Sequence, residues 1–92
     1  MIKSFKDKKT KKLHEGECAG IFQAFCRQAE KRLRVLDAAD TIEALMLLPS
    51  NRLKALGGDR QGQFSIRIND QWRICFTWHD DGPHDVEIVD YH

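Results

Sequence analysis

The stretch Gln63-Phe64-Ser65-Ile66-Arg67-Ile68-Asn69-Asp70-Gln71-Trp72-Arg73-Ile74-Cys75-Phe76-Thr77-Trp78 decides the fold. On its first side Phe64, Ile66 and Ile68 alternate with Ser65 and Arg67. On its second side Trp72, Ile74, Phe76 and Trp78 alternate with Arg73, Cys75 and Thr77. Apolar residues at every second position mark half-buried strands, because successive side chains point to opposite faces of a sheet. Asn69-Asp70-Gln71 is short enough to join the two as a hairpin. One face of the hairpin is then apolar, and the other carries Arg67, Arg73 and neighbouring polar groups.

Outward from this hairpin, Asp80-Asp81-Gly82-Pro83 reads as a second turn and Val86 to Tyr91 as a last strand. Upstream, Arg52 to Leu56 can add a further strand before Gly57-Gly58. Before Pro49 the period changes from 2 to 3.6. Phe22, Phe25, Cys26, Ala29, Leu33 and Leu36 fall on one stripe of a helix over Ile21 to Leu36, with Arg27, Lys31 and Arg34 on the far side. Asp40-Thr41-Ile42-Glu43 resembles a capping box, an acceptor followed three residues later by Glu. It opens a shorter helix through about Leu48, which Pro49 stops. Asp7 to Gly16 reads as a loop or a frayed helix, and Ile2 to Phe5 as a short edge strand. The expected architecture is α+β: an N-terminal short strand and two to three helices packed on a C-terminal antiparallel sheet. A chain of 92 residues has room for one such domain, spanning 1–92.

Composition narrows the function classes. The chain is 41% hydrophobic and 32% charged, which is ordinary for a globular protein, and it has no low-complexity tract or repeat. No apolar run approaches the roughly 20 residues of a membrane span, and the lysine-rich start Met1 to Lys12 lacks the apolar segment of a secretory signal. Cys18, Cys26 and Cys75 are odd in number and show no C-x-x-C spacing, so reduced thiols in a cytoplasmic protein are expected. Cys75 is expected to pack within a strand. The net charge of +1 conceals an asymmetry: residues 1–36 hold ten Lys/Arg against four Asp/Glu, whereas residues 74–92 hold five acids and no Lys/Arg. A basic half can attract polyanions; from charge alone, a solvated lysine face is the simpler reading.

Several side chains have the chemistry of a site. Arg67 and Arg73, on adjacent strands, can bind phosphate through paired hydrogen bonds, or can pair with Asp70 or Glu87. Lys54 and Arg60 flank the Gly57-Gly58 turn within reach of that face, or are solvated cations. The chain ends Asp90-Tyr91-His92, a carboxylate, a phenol and an imidazole, each able to take part in proton transfer. Histidine suits that task best because its unperturbed pKa is about 6.5. His14, His79 and His84 have no zinc-type spacing. There is no phosphate-binding P-loop, dinucleotide fingerprint or nucleophile elbow, and no cofactor is expected.

The segment from Asn51 to Phe76 resembles the L-x-x-L-x-G-x-R-x-G-x-x-S-I-R-x-N-x-x-W-R-I-x-F core of HigB-type toxins, in the RelE/ParE superfamily. Val86 to His92 resembles their closing strand with its terminal D-Y-H. The first half matches in layout only. This resemblance implies a RelE-like fold and the toxin role of a type II toxin–antitoxin system. It further implies a ribosome-dependent endoribonuclease that cuts mRNA in the decoding site. Implied partners are a HigA-like helix-turn-helix antitoxin, the ribosome and mRNA, with operator DNA reached only through the antitoxin. Carried onto this chain, it makes Arg73, Asp90, Tyr91 and His92 catalytic candidates, with Lys54, Arg60 and Arg67 as phosphate-binding cations. Some members of the family have histidine where this chain has Lys54, and lysine where it has Gly57. Two other readings share the fold: a ParE-like inhibitor of DNA gyrase that acts by binding, and a ribosome- or antitoxin-binding module with little catalysis.

Overall fold

A computed structural model describes residues 1–90, and in it the helices lie on one face of a four-stranded antiparallel sheet. Helices α1 (Lys8–His14), α2 (Cys26–Ala38) and α3 (Ile42–Met46) precede strands β1 (Lys54–Ala55), β2 (Gln63–Arg67), β3 (Trp72–His79) and β4 (Gly82–Asp90). The strands pair in chain order, and the β2–β3 hairpin sets Phe64 opposite Phe76, Ile66 opposite Ile74 and Arg67 opposite Arg73. Ile66, Ile74 and Ile88 form one continuous row, which is buried against the helices. The expected apolar face is therefore present. Trp72 and Trp78 sit half-buried at its two ends, while Ile74 and Phe76 are fully enclosed.

The helical stripe also reaches the core: Phe22, Phe25, Ala29, Leu33 and Leu36 are buried and Cys26 packs against them. The single helix expected over Ile21 to Leu36 is instead two pieces, a 3-10 turn over Gly20–Phe25 followed by α2. A 3-10 turn aligns residues three apart. That brings both Phe22 and Phe25 onto Trp72, with ring centroids 6.1 and 4.9 Å away.

Other expectations are corrected in detail. Asp7 to Gly16 holds a formed helix, capped by the Asp7 carboxylate, which accepts from the Thr10 amide at 2.7 Å. The cap of α3 is Thr41, not Asp40: the Thr41 hydroxyl accepts from the Ala44 amide at 3.1 Å, and Thr41 has the extended backbone a cap requires. That helix ends at Met46, and Pro49 opens a 3-10 turn over Pro49–Asn51. The upstream strand is only Lys54–Ala55. The last strand starts at Gly82, four residues before the expected Val86, because the turn closes within Asp80 and Asp81. Ile2 to Phe5 makes a single parallel bridge, Phe5 to Val86, and does not form a strand.

This N-terminal segment covers the outer edge of β4. The Lys3 amide donates to the Pro83 carbonyl, the Val86 amide to Ser4 and the Lys6 amide to Val86, at 2.9 to 3.1 Å. Further along, the Ile88 amide donates to the Thr10 hydroxyl of α1. Gly82 sits beneath the chain start with φ +127°, and a Cβ there would lie 2.9 Å from the Met1 carbonyl oxygen. The thiol expectation is also corrected. Cys18 and Cys26 form a disulfide with Cα atoms 6.3 Å apart, and Cys75 is the free cysteine among the described residues. No helix of the described residues is long and apolar enough to cross a membrane.

Candidate active site

The face of the sheet away from the helices holds the polar positions. Ile66, Ile74 and Ile88 point into the core, so the neighbouring rows Lys54–Ser65–Cys75–Glu87 and Arg67–Arg73–Val89 point the other way. At the β1 side of this face is an open cleft of about 600 Å³, lined by Arg52, Leu53, Lys54, Arg67, Asn69, Asp70 and Arg73. Register explains the convergence. Lys54 pairs with Ser65, Arg67 pairs with Arg73, and all share one parity.

Arg73 is the anchored cation of the cleft, only 7% exposed. Its Nε donates to the Ser65 hydroxyl at 2.8 Å. One terminal nitrogen donates to the Arg52 carbonyl at 2.5 Å and to the Ser65 carbonyl at 3.3 Å. These three oxygens are neutral, and together they orient the guanidinium. The Arg52 carbonyl is aimed by an unusual backbone: Arg52 is left-handed, with φ 45° and ψ 53°. Asn51 fixes that turn from below. Its side chain is fully buried, donates to the Leu45 carbonyl at 3.1 Å and accepts from Arg32 at 2.7 Å. A left-handed non-glycine residue is held only where its surroundings impose it, and here they aim a carbonyl at the cleft's arginine.

Lys54 is exposed, and Arg67 is half-buried and pairs with Asp70 in the hairpin turn. Arg60 shares the face but is not in the cleft. It donates to Gln63 at 3.1 Å and to Glu87 at 3.2 Å. Asp90, the last described residue, stands opposite Trp72 at the end of β4 and accepts from the Gln71 side-chain amide at 3.0 Å. It has the parity of Ile88, not that of Val89, and it does not line the cleft. Tyr91 and His92 lie outside the described residues. The structure thus gathers Lys54, Arg67 and Arg73, and leaves Arg60 and Asp90 apart from them.

Two members of the cleft were missed in the sequence. Arg52 contributes a carbonyl through a turn whose only signal is its place after Pro49-Ser50-Asn51. Ser65 has the parity of Arg67 and Arg73, which is the signal in the sequence that could have found it. Elsewhere, burial pushes the Cys75 thiol pKa up, which fits a packed thiol and not a nucleophile. His84 meets Asp81 at 2.7 Å, and that hydrogen bond holds the Asp81 carboxyl below its ordinary value. Among the described residues no group of three or more His, Cys, Asp or Glu is placed to hold a metal ion.

The geometry is that of an open cleft lined largely by cations. Residues 3–92 match a family described as the RelE-like toxin of type II toxin–antitoxin system HigB. The chain is 36% identical to Endoribonuclease HigB of Proteus vulgaris over the full length of both. It is 42% identical over 50 residues to Toxin HigB-1 of Vibrio cholerae, a match spanning 54% of this chain and 53% of that toxin. In fold it is similar to the YoeB–YefM complex from Staphylococcus aureus, with TM-score 0.63 and 19% identity, covering 100% of this chain and 98% of the other. The YoeB dimer from the same organism matches with TM-score 0.57 and 17% identity, over 99% and 94%. At these identities the two structures speak for the fold alone.

Proposed function

The chain belongs to the HigB-like family of RelE-like toxins of type II toxin–antitoxin systems and is an endoribonuclease toxin, and on that premise we propose that it cuts messenger RNA in the decoding site of the ribosome. The observation that carries the reading is the cleft in which Lys54, Arg67 and the anchored Arg73 converge. An open, cationic recess suits a phosphodiester, and Arg73 is already aimed before substrate arrives.

The chemistry follows from what RNA offers. The 2′-oxygen attacks the adjacent phosphorus as its proton is removed. The bond to the 5′-oxygen breaks as that oxygen gains a proton, leaving a 2′,3′-cyclic phosphate and a 5′-hydroxyl. Arg73 holds the phosphate as negative charge builds on its free oxygens, with Lys54 and Arg67 on the flanking phosphates. His92 transfers a proton, Asp90 orients or tunes it, and Tyr91 stacks on an unpaired base or donates a proton. Arg60, held by Glu87, serves the RNA outside the cutting cleft. The ribosome supplies what so open a cleft lacks, a fixed geometry for a flexible strand. A helix-turn-helix antitoxin is the partner that restrains the toxin and reaches operator DNA, and the site of action is the cytoplasm.

The test is mRNA cleavage on programmed ribosomes by wild type, Arg73→Ala and a chain lacking His92. Wild type is expected to cut in the decoding site, and both variants are expected to bind ribosomes without cutting. Intact mRNA with wild type would remove the ribosomal substrate and turn attention to gyrase inhibition.

A further inference from the structure

The Cys18–Cys26 disulfide, for which the cleft chemistry has no use, brackets the 3-10 turn over Gly20–Phe25. Cys18 follows the end of α1, where the Glu17 amide donates to the Lys12 carbonyl at 2.8 Å, and Cys26 is the first residue of α2. Between them the turn stacks Phe25 on Trp72 at 4.9 Å and sets Phe22 edge-on to it at 6.1 Å. Trp72 stands opposite Asp90 in the sheet register and precedes Arg73 in the chain. The two phenyl rings are therefore a pad behind the end of the sheet that carries Asp90, from which the chain continues to Tyr91 and His92. Side chains cap α1 and α3, through Asp7 and Thr41, whereas among the described residues neither the 3-10 turn nor α2 has a side-chain cap. The disulfide is the tie across this uncapped junction. Both cysteines are half-buried, within reach of a small reagent. Both also suit an open state. The Cys18 sulfur lies 3.6 Å from the Ala19 carbonyl oxygen and the Cys26 sulfur 3.5 Å from a Glu30 carboxylate oxygen, an acceptor for each thiol.

We propose that the Cys18–Cys26 pair is a reversible redox clasp, which sets how firmly the aromatic pad holds Trp72 and so how fast the toxin cuts. The effect on cutting rests on the ribosomal reading above. Disulfides in a reducing compartment are as a rule transient and redox-sensing, and a bond that reagents can reach is the labile kind. To open the clasp, a dithiol reductant attacks one sulfur and the Cys18–Cys26 bond breaks. The second thiol of the reductant then displaces the mixed disulfide, leaving two protein thiols and the reductant as its own disulfide. To close it, a peroxide takes two electrons and two protons from the thiols, the S–S bond forms and two waters are released. Closed, the clasp ties the end of α1 to the start of α2 and fixes Phe22 and Phe25 on Trp72. Open, the uncapped turn is free to loosen, and the Trp72–Asp90 end of the sheet loses its firm backing. Oxidising conditions thus favour the faster toxin.

The experiment takes full-length wild type and Cys18→Ser/Cys26→Ser, each oxidised with hydrogen peroxide or reduced with dithiothreitol and then desalted. Three readouts are compared: single-turnover mRNA cleavage at saturating ribosomes, thermal melting by circular dichroism, and Trp72 emission in a Trp78→Phe background. Non-reducing peptide mapping follows the Cys18–Cys26 link. Reduction of wild type is expected to lower the melting temperature by at least about 5 °C. It is expected to shift Trp72 emission to the red and to slow cleavage by about threefold or more. Peroxide is expected to restore all three. The double variant is expected to match reduced wild type under both treatments. Equal cleavage by oxidised and reduced wild type overturns the proposal, whatever the melting temperatures, because the bond would then serve stability alone. So does a response that persists in the double variant, which would assign it to Cys75 or to methionine. A peptide map without the Cys18–Cys26 link after oxidation overturns it as well. If wild type cuts no messenger in either state, the ribosomal reading fails, while melting and Trp72 emission still decide whether the clasp governs the pad.

Discussion

Replacing Ser65 with alanine tests whether Arg73 is aimed by its neighbours or merely present. The Ser65 hydroxyl is fully buried and accepts from Arg73 Nε at 2.8 Å, while the Arg52 and Ser65 carbonyls, which also accept from that guanidinium, are backbone groups that the substitution leaves in place. A hydrogen bond to a charged group is worth about 1.5 to 3 kcal/mol. At about 1.36 kcal/mol per factor of ten, that is roughly 10- to 100-fold if the whole of it is realised in the transition state. The side chain loses one oxygen and no carbon, so little packing changes. Single-turnover cleavage on programmed ribosomes is the assay, with urea denaturation in parallel to assign any loss of stability. Cleavage is expected to fall by about tenfold or more, at about 1 to 2 kcal/mol of stability. An Arg73→Lys background serves as the cross-check. Lysine has no Nε–H to place, so Ser65→Ala should add little further loss of rate there. Cleavage by Ser65→Ala within about twofold of wild type, or an equal loss in both backgrounds, would refute the claim that Ser65 acts through Arg73.

Gly82→Ala should lower the melting temperature. Its φ of +127° disfavours a side chain, and the new Cβ would meet the Met1 carbonyl oxygen at 2.9 Å; a cost of about 1 to 3 kcal/mol is expected, readable by calorimetry. Burial raises the Cys75 pKa, so the neutral thiol persists to higher pH than an ordinary cysteine. Iodoacetamide at mildly alkaline pH should therefore leave Cys75 unmodified in the native protein and alkylate it in urea, as peptide mass spectrometry would show. Naked RNA should be cut slowly or not at all by concentrations that cleave ribosome-bound mRNA, because the open sheet face cannot hold a flexible strand in line; efficient, sequence-selective cutting of free RNA on a gel would contradict this.

Much of the fold was legible because period-2 alternation in β2 and β3 is strict and the face assignment follows from parity alone. The same parity puts Arg67 and Arg73 on the outward face, where the structure has them. It could not place Arg60, which has the right neighbourhood but is drawn to Glu87, since that pairing depends on the register of β4 against β3. It also could not reveal the Arg52 carbonyl. A left-handed residue at that position is a product of the buried Asn51 and its bonds to Leu45 and Arg32, contacts made between distant parts of the chain. The apolar stripe of Phe22 to Leu36 is continuous, so periodicity alone predicts one long helix. The break at Phe25 comes from tertiary packing, as Phe22 and Phe25 both settle on Trp72. The Cys18–Cys26 link has no local spacing signal either, because it closes over that same turn.

The joining of the N-terminal segment to β4 bears on how the molecule comes into being. Ser4 bonds Asp85, and Thr10 bonds Ile88, across separations of 81 and 78 residues. During synthesis residues 1–12 are made well before β4 and wait for it while the intervening helices and strands are made. Such closure comes late because the entropy of a long loop must be overcome before its contacts form. Until then β4 is missing from the sheet, the row of Ile88 is absent from the core and the lysine segment has no edge to lie on. A chain made only as far as β3 cannot hold this architecture, so a toxin of this design comes to its working form only once β4 has been made.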